Sequence, residues 1–212
     1  MPGAWEQLQG KFEVLVCILT REIVSTKWAL SLRNLMLPPN SGIVFLSGMP
    51  FGHARNVGAQ QAVENNCTWL FFIDDDVAVP PDAYAKLKAH DKAIVSGLYF
   101  RRSPPINPVW LNKVNNEYVF QHSIDGKLHT ADLVGAGCLL IKVDVFRQIT
   151  RPWFEWRVDR DDLDKNDRLS EDFFFCQKAK QFGIEIHIDT SVQCDHVCLA
   201  MTNTAGVCPA LL

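Results

Sequence analysis

Three consecutive carboxylates, Asp74, Asp75 and Asp76, stop the apolar run from Trp69 to Ile73 and are followed by Val77-Ala78-Val79 and Pro80-Pro81. Adjacent carboxylates repel one another and are costly to desolvate unless a positive group lies between them. Residues i and i+2 of an extended segment point to one side, so Asp74 and Asp76 are expected to converge while Asp75 faces away. Such a pair suits Mg²⁺ or Mn²⁺, which bind one or two carboxylates and fill their shell with phosphate oxygens and water. A solvated acidic turn is the other reading of the same residues. A second acidic pair, Glu171-Asp172, follows Ser170 where a helix starts. A helix N-terminus favours the ionised carboxylate, the form that accepts a proton, although acids also decorate such turns for the dipole alone. His196 stands in Cys194-x-His196-x-Cys198. Zinc sites use Cys-x-x-Cys type spacing with a fourth ligand and no second pair is evident, so these cysteines read as buried thiols.

The elements that must position these groups follow from hydrophobic patterning. Residues 13–20 (EVLVCILT), 42–47 (GIVFLS), 67–73 and 92–100 (KAIVSGLYF) read as strands that are apolar throughout. Residues 25–36 and 53–66 read as helices, and Pro80-Pro81 opens another, since proline is tolerated in a first turn. Alternation of buried strands with helices predicts a parallel sheet covered on both faces, with ligands beyond the carboxyl ends of its strands, where Asp74 to Asp76 lie. In the second half, residues 101–108 (RRSPPINP) form an extended loop, and 117–121 and 127–132 flank Asp125-Gly126 as a hairpin. A short strand at 137–141 precedes a helix at 143–149. Ser170 is the expected N-cap of a helix reaching Phe182, with Gly183 as its stop, and strands follow at 184–188 and 192–197. Residues 155–167 are expected to form a mobile loop, with Trp153, Phe154 and Trp156 as stacking faces or anchors.

Bulk properties bound the function. A chain of 212 residues, 48% hydrophobic and 21% charged, is an ordinary globular composition. A net charge of −3 offers no general attraction for nucleic acid or an anionic membrane, so a polyanionic ligand must be met locally, by a metal or a few basic groups. No apolar run approaches the ~20 residues of a membrane span, and the first residues read as mature protein, not a signal peptide. The seven cysteines are odd in number and scattered, which fits reduced thiols and a cytoplasmic location. With no internal repeat or linker, residues 1–212 are expected to form one domain, with 11–100 as its first half, 101–198 as its second and 199–212 as a tail.

Five segments carry a resemblance to family 2 glycosyltransferases and their GT-A relatives. They are Ala54-Arg55-Asn56, Phe72-Ile73 leading into Asp74-Asp75-Asp76, the run Val134 to Ile141 with its Gly135-Ala136-Gly137 turn, Ser170-Glu171-Asp172 with the following phenylalanines, and Asp195-His196-Val197. The resemblance implies a GT-A type three-layer α/β/α sandwich with a mostly parallel sheet and a nucleotide-binding N-terminal half. It also implies a metal-dependent transfer of sugar from a nucleoside-diphosphate sugar to a glycan or other hydroxyl acceptor, with inversion. On this resemblance Asp76, His196 and Asp74 hold Mn²⁺ or Mg²⁺, Asp74 also lying near the ribose or base, and Asp75 belongs to the donor site. Asp172 is the first choice of general base and Glu171 the second. Thr20 and Arg21 match the nucleotide-contacting position, Arg55 reaches a diphosphate oxygen, and Gly137 lets backbone approach the sugar or acceptor. Two other classes compete: a catalytically silent nucleotide-sugar or glycan-binding module, and a nucleotidyltransferase. The latter would need a basic, glycine-rich phosphate loop near the N-terminus, which the sequence lacks.

Overall fold

The computed structural model describes residues 12–158, 168–198, 200–203 and 206–209. Their elements in chain order are β1 (Val14–Leu19), α1 (Thr26–Asn34), β2 (Ser41–Leu46), α2 (Phe51–Glu64), β3 (Trp69–Asp74), β4 (Val77–Ala78), α3 (Ala83–Ala89) and β5 (Ile94–Leu98). Then follow β6 (Trp110–Val114), β7 (Glu117–Phe120), β8 (Leu128–Ala131), β9 (Leu133–Val134), β10 (Cys138–Lys142) and α4 (Asp144–Gln148). The chain continues through β11 (Arg157–Val158), β12 (Arg168–Leu169), α5 (Glu171–Gln181), β13 (Ile186–Gln193), β14 (Asp195–His196), β15 (Ala200–Asn203) and β16 (Gly206–Pro209).

Seven strands form the central sheet in the order β2-β1-β3-β10-β5-β13-β8. Strands β2, β1, β3, β5 and β13 run one way, while β10 and β8 run the other. The sheet is therefore mostly parallel, as expected, with β10 as an antiparallel insertion between β3 and β5. After β5 the chain folds the β6-β7-β9 sheet before returning as β10, so it re-enters from the end of the sheet that β5 has just left.

The buried strands feed both faces with period two. In β1, Val14, Val16 and Ile18 join Trp28 of α1 and Tyr84 and Leu87 of α3 in one core. Leu15, Cys17 and Leu19 join Ala54, Ala59 and Ala62 of α2 with Phe175 and Ala179 of α5 in the other. Strand β3 divides in the same way, Phe71 to the first core and Phe72 to the second. Burial on both faces requires an unbroken apolar strand, and it makes the sheet a rigid platform for whatever stands at its strand ends.

One expected hairpin lies elsewhere. Strand β7 pairs with β6 through Asn115-Asn116, both residues at positive φ (50° and 68°), the left-handed conformation a tight two-residue hairpin demands and asparagine tolerates. Asp125-Gly126 instead separates β7 from β8, and β8 joins the edge of the central sheet against β13. The expected strands at 184–188 and 192–197 form the longer β13, with a register shift between Asp189 and Gln193, and the short β14.

Candidate active site

At the carboxyl end of β3 the chain turns through Asp75-Asp76 into β4, which pairs antiparallel with β14 so that His196 lies opposite Val77. The Val197 N–H donates to the Asp76 carbonyl at 2.7 Å. This two-stranded clip, which patterning does not announce because each strand has two residues, brings His196 to the aspartate run. His196 Nδ1 lies 2.6 Å from the Phe100 carbonyl. A carbonyl only accepts, so Nδ1 carries the proton and the Nε2 edge faces Asp76 Oδ1 at 3.5 Å. Burial works against the Asp76 charge, but His196, Arg102 and Arg21 together hold its carboxyl below the usual range. Arg102 Nη1 lies 2.8 Å from Asp76 Oδ2 and Arg21 Nη2 3.8 Å from it.

Asp75 does not face away. It is buried, and its Oδ2 accepts the Arg21 N–H at 2.8 Å, so the second carboxylate ties the end of β3 to the loop after β1. Thr20 Oγ1 accepts the Glu22 N–H, turning that loop. Two openings flank it. One of about 360 Å³ is lined by Arg21, Ile23, Val24, Asp75, Asp76 and Arg102. The other, about 590 Å³, is lined by Thr20, Arg21, Glu22, Met49 and Phe51 among others.

Asp74 and Asp76 take different partners in this structure, although, beside burial, the Asp76 charge still helps to raise the Asp74 pKa. Asp74 engages Arg55, whose Nη2 lies 2.9 and 3.1 Å from its two carboxylate oxygens. Arg55 Nε bonds Glu171 Oε1 at 3.2 Å, and the guanidinium stacks over Phe72 with its carbon 5.2 Å from the ring centroid. Arg55 is only 2% exposed. Burial opposes its charge, yet Asp74 and Glu171 raise its pKa further. Burial pushes the Asp74 pKa up against the pull of Arg55. Arg55 is thus an internal counter-ion held by two carboxylates, and the expectation that it reaches a diphosphate gives way to this geometry. Its neighbour Asn56 clamps the segment before β11, donating to the Phe154 carbonyl and accepting from the Trp153 and Phe154 N–H groups. Trp153 and Phe154 are buried and so are anchors, whereas Trp156 is exposed.

Glu171 and Asp172 open α5 but divide in role. Glu171 is buried against Arg55, which leaves Asp172 as the partly accessible carboxylate. Ser170 has the extended backbone of an N-cap but makes no side-chain cap bond. Its hydroxyl donates to Asp172 Oδ1, which also accepts the Phe173 N–H at 2.9 Å. The expected pull of the helix start toward ionised Asp172 is outweighed. Burial and the adjacent Glu171 push its pKa up to about 6, outweighing the Ser170, Arg55 and Phe173 contributions.

Tyr99 and Arg102 lie at this site without any motif to announce them. The Gly137 N–H donates to Tyr99 Oη at 3.1 Å, and the Tyr99 ring packs edge-on to His196 with centroids 5.5 Å apart. A Cβ on Gly135 would lie 1.9 Å from Tyr99 Oη, and one on Gly137 2.8 Å from Val77 Cγ2. The Gly135-Ala136-Gly137 turn therefore makes room for Tyr99 and β4, and Gly137, expected to approach a sugar, is buried under them. Among the described residues Cys17, Cys67, Cys138, Cys176 and Cys194 are buried free thiols and Cys198 is an exposed one. Among those residues, too, no group of three His, Cys, Asp or Glu side chains is arranged to hold a metal ion, and no helix is long and apolar enough to cross a membrane.

No protein-family model matches the chain, and no curated protein matches it in sequence. Solved structures do. A197 from STIV superposes with a TM-score of 0.64 at 18% identity, over 92% of each chain. GalNAc-T7, solved with UDP, GalNAc and Mn²⁺, superposes with a TM-score of 0.60 at 12% identity, over 88% of this chain. The match spans 44% of the GalNAc-T7 chain. At these identities the likeness is one of fold, and the fold is the GT-A type α/β/α sandwich that the sequence motifs implied.

Proposed function

We propose that this chain is a metal-dependent glycosyltransferase that moves a sugar from a nucleoside-diphosphate sugar to a hydroxyl acceptor with inversion. The observation that carries the reading is the Asp76–His196 pair. With Nδ1 engaged by the Phe100 carbonyl, His196 presents its Nε2 edge to a carboxylate oxygen 3.5 Å away. The spacing is long for a hydrogen bond, and the two groups are near enough that both would hold one cation. Asp76 and His196 thus fit Mn²⁺, which accepts mixed oxygen and imidazole donors, with phosphate oxygens and water completing the shell. Asp74 enters as the partner of Arg55. A bound divalent cation supplies Lewis-acid stabilisation of the departing diphosphate.

The chain's own residues do the rest. The loop from Thr20 to Val24 and the openings beside it hold the nucleoside portion, with Arg21 toward the diphosphate. Asp172 accepts the acceptor hydroxyl's proton at Oδ2, while Ser170 and the Phe173 N–H fix Oδ1. A base poised near the working pH balances availability against proton affinity. The buried thiols fit a reducing cytoplasm. GalNAc-T7, of the same fold, has been solved with UDP and Mn²⁺, which supports this choice of ligand. The deciding experiment measures UDP and GDP affinity with and without Mn²⁺, for the parent and for Asp76→Ala. Tighter binding with metal, abolished in the variant while the fold persists, supports the reading. Equal affinity under both conditions for every nucleotide removes it.

A further inference from the structure

Arg102 occupies an unusual position for a guanidinium beside a candidate cation site. Its Nη1 is 2.8 Å from Asp76 Oδ2, the carboxylate whose other oxygen faces His196. Among the described residues it has no other carboxylate partner, and its side chain is 38% exposed on the wall of the opening that also holds Arg21 and Asp75. The backbone that carries it is fixed at its root. The Arg101 N–H donates to the Asn107 carbonyl, the Val109 N–H donates to the Tyr99 carbonyl, and Phe100 bridges to Pro108. Phe100 also accepts the His196 Nδ1 proton. The Arg102 side chain thus leaves the chain one residue beyond a segment pinned next to His196.

A divalent cation on Asp76 and His196 would meet this guanidinium as a like charge sharing one carboxylate. The two compete for the charge on Asp76, because like charges in a partly buried site repel. We propose that Arg102 is the internal counter-ion that a divalent cation displaces from Asp76, and that the released guanidinium then binds the donor's diphosphate. A planar fork of N–H donors matches phosphate oxygens in pairs, and Arg21, 48% exposed and 3.8 Å from the same carboxylate, supplies a second cation on that wall. The exchange keeps Asp76 paired before loading and leaves the diphosphate clamped between cation and guanidinium afterwards. Metal and nucleotide binding are thereby coupled. The inference rests on the reading of Asp76 and His196 as metal ligands.

The test uses Arg102→Gln and measures Mn²⁺ binding alone, by titration calorimetry or by the loss of the free-ion electron paramagnetic resonance signal. UDP affinity at saturating Mn²⁺ is measured beside it. Exchange predicts opposite signs. Mn²⁺ alone should bind roughly threefold or more tightly, since a competitor of exposed ion-pair strength is gone, and UDP should bind roughly tenfold or more weakly, since a charge-assisted pair is lost. Weakening of both would make Arg102 a structural support for Asp76, and no change in either would make it a bystander; each result overturns the proposal. Should the parent itself bind neither Mn²⁺ nor UDP, the metal-site reading fails first and takes this inference with it. Arg102→Lys provides a control, keeping the competing charge and most of the fold while losing the paired donors: Mn²⁺ affinity should stay near the parental value as UDP affinity drops.

Discussion

Arg55 Nη2 lies within 3.1 Å of both oxygens of Asp74, so the first carboxylate of the Asp-x-Asp is engaged by a buried cation from α2. The same guanidinium reaches Glu171 at the start of α5. One arginine therefore joins the end of β3 to the helix that presents Asp172, and both of its partners sit in a site where removing the cation leaves carboxylates without neutralisation.

Arg55→Met should therefore be severely destabilising. Breaking a buried ion pair by removing one partner typically costs about 3–5 kcal/mol, which corresponds to a fall in Tm of roughly 10 °C for a chain of this size. Thermal or urea unfolding checks it. Adding Glu171→Gln to Arg55→Met should recover part of the loss, because it removes one stranded charge, whereas Glu171→Gln alone should destabilise. A loss below about 1 kcal/mol for Arg55→Met would mean that Asp74 and Glu171 do not depend on it.

Much of this architecture was legible in the sequence because it depends on local pattern. Strands β1 and β3 announce themselves as unbroken apolar runs, and α1 falls within the segment 25–36 that patterning marks as helical. The acids at the end of β3 are legible for the same reason. Arg55 was flagged by its motif but given the wrong partner, since an arginine on a helix does not reveal which way its guanidinium turns; tertiary packing over Phe72 turns it inward. Tyr99 and Arg102 escaped notice because their roles rest on long-range geometry, Tyr99 through Gly137 and Arg102 through a loop root pinned to His196. The antiparallel entry of β10 was hidden as well, because strand direction is set by where the chain returns from, not by the strand's own residues.

Gly135→Ala tests the packing role of the glycine turn. A methyl group there would stand 1.9 Å from Tyr99 Oη and 2.8 Å from Val109 Cγ1, and Tyr99 is buried. Overpacking of this kind typically costs about 1–3 kcal/mol. The expected outcome is lowered stability together with weakened metal-dependent nucleotide binding, since Tyr99 also supports the His196 ring. Parental stability in the variant would show that Tyr99 can leave its place, and would separate the turn from the site.

Asp172→Asn separates chemistry from stability and gives them opposite signs. Loss of a general base typically lowers turnover by about 10²–10⁴-fold, while nucleotide affinity, set at Asp76 and His196, should stay near the parental value. Asparagine keeps the Oδ1 acceptor that Ser170 and the Phe173 N–H use, so the helix start should survive. The pKa of Asp172 is raised from 3.8 to about 6 in the folded chain. A folded-state pKa above the unfolded one means that the native state prefers the proton. The associated stability is full below about pH 4 and is lost as pH rises through about 6. At pH 7 to 8 the folded protein therefore carries an unfavourable charge at Asp172 that the asparagine variant lacks. Asp172→Asn should raise Tm at pH 7.5, by roughly 2–5 °C, and the gain should vanish toward pH 4. Parental turnover should fall on the acid side with a midpoint near 6, as the base is protonated. Differential scanning fluorimetry across pH, run beside donor hydrolysis or transfer assays, reads both effects. An inactive variant without the pH-dependent gain would leave Asp172 as the base but move its charge into a better solvated setting, whereas parental turnover in the variant would end the assignment of Asp172 as the base.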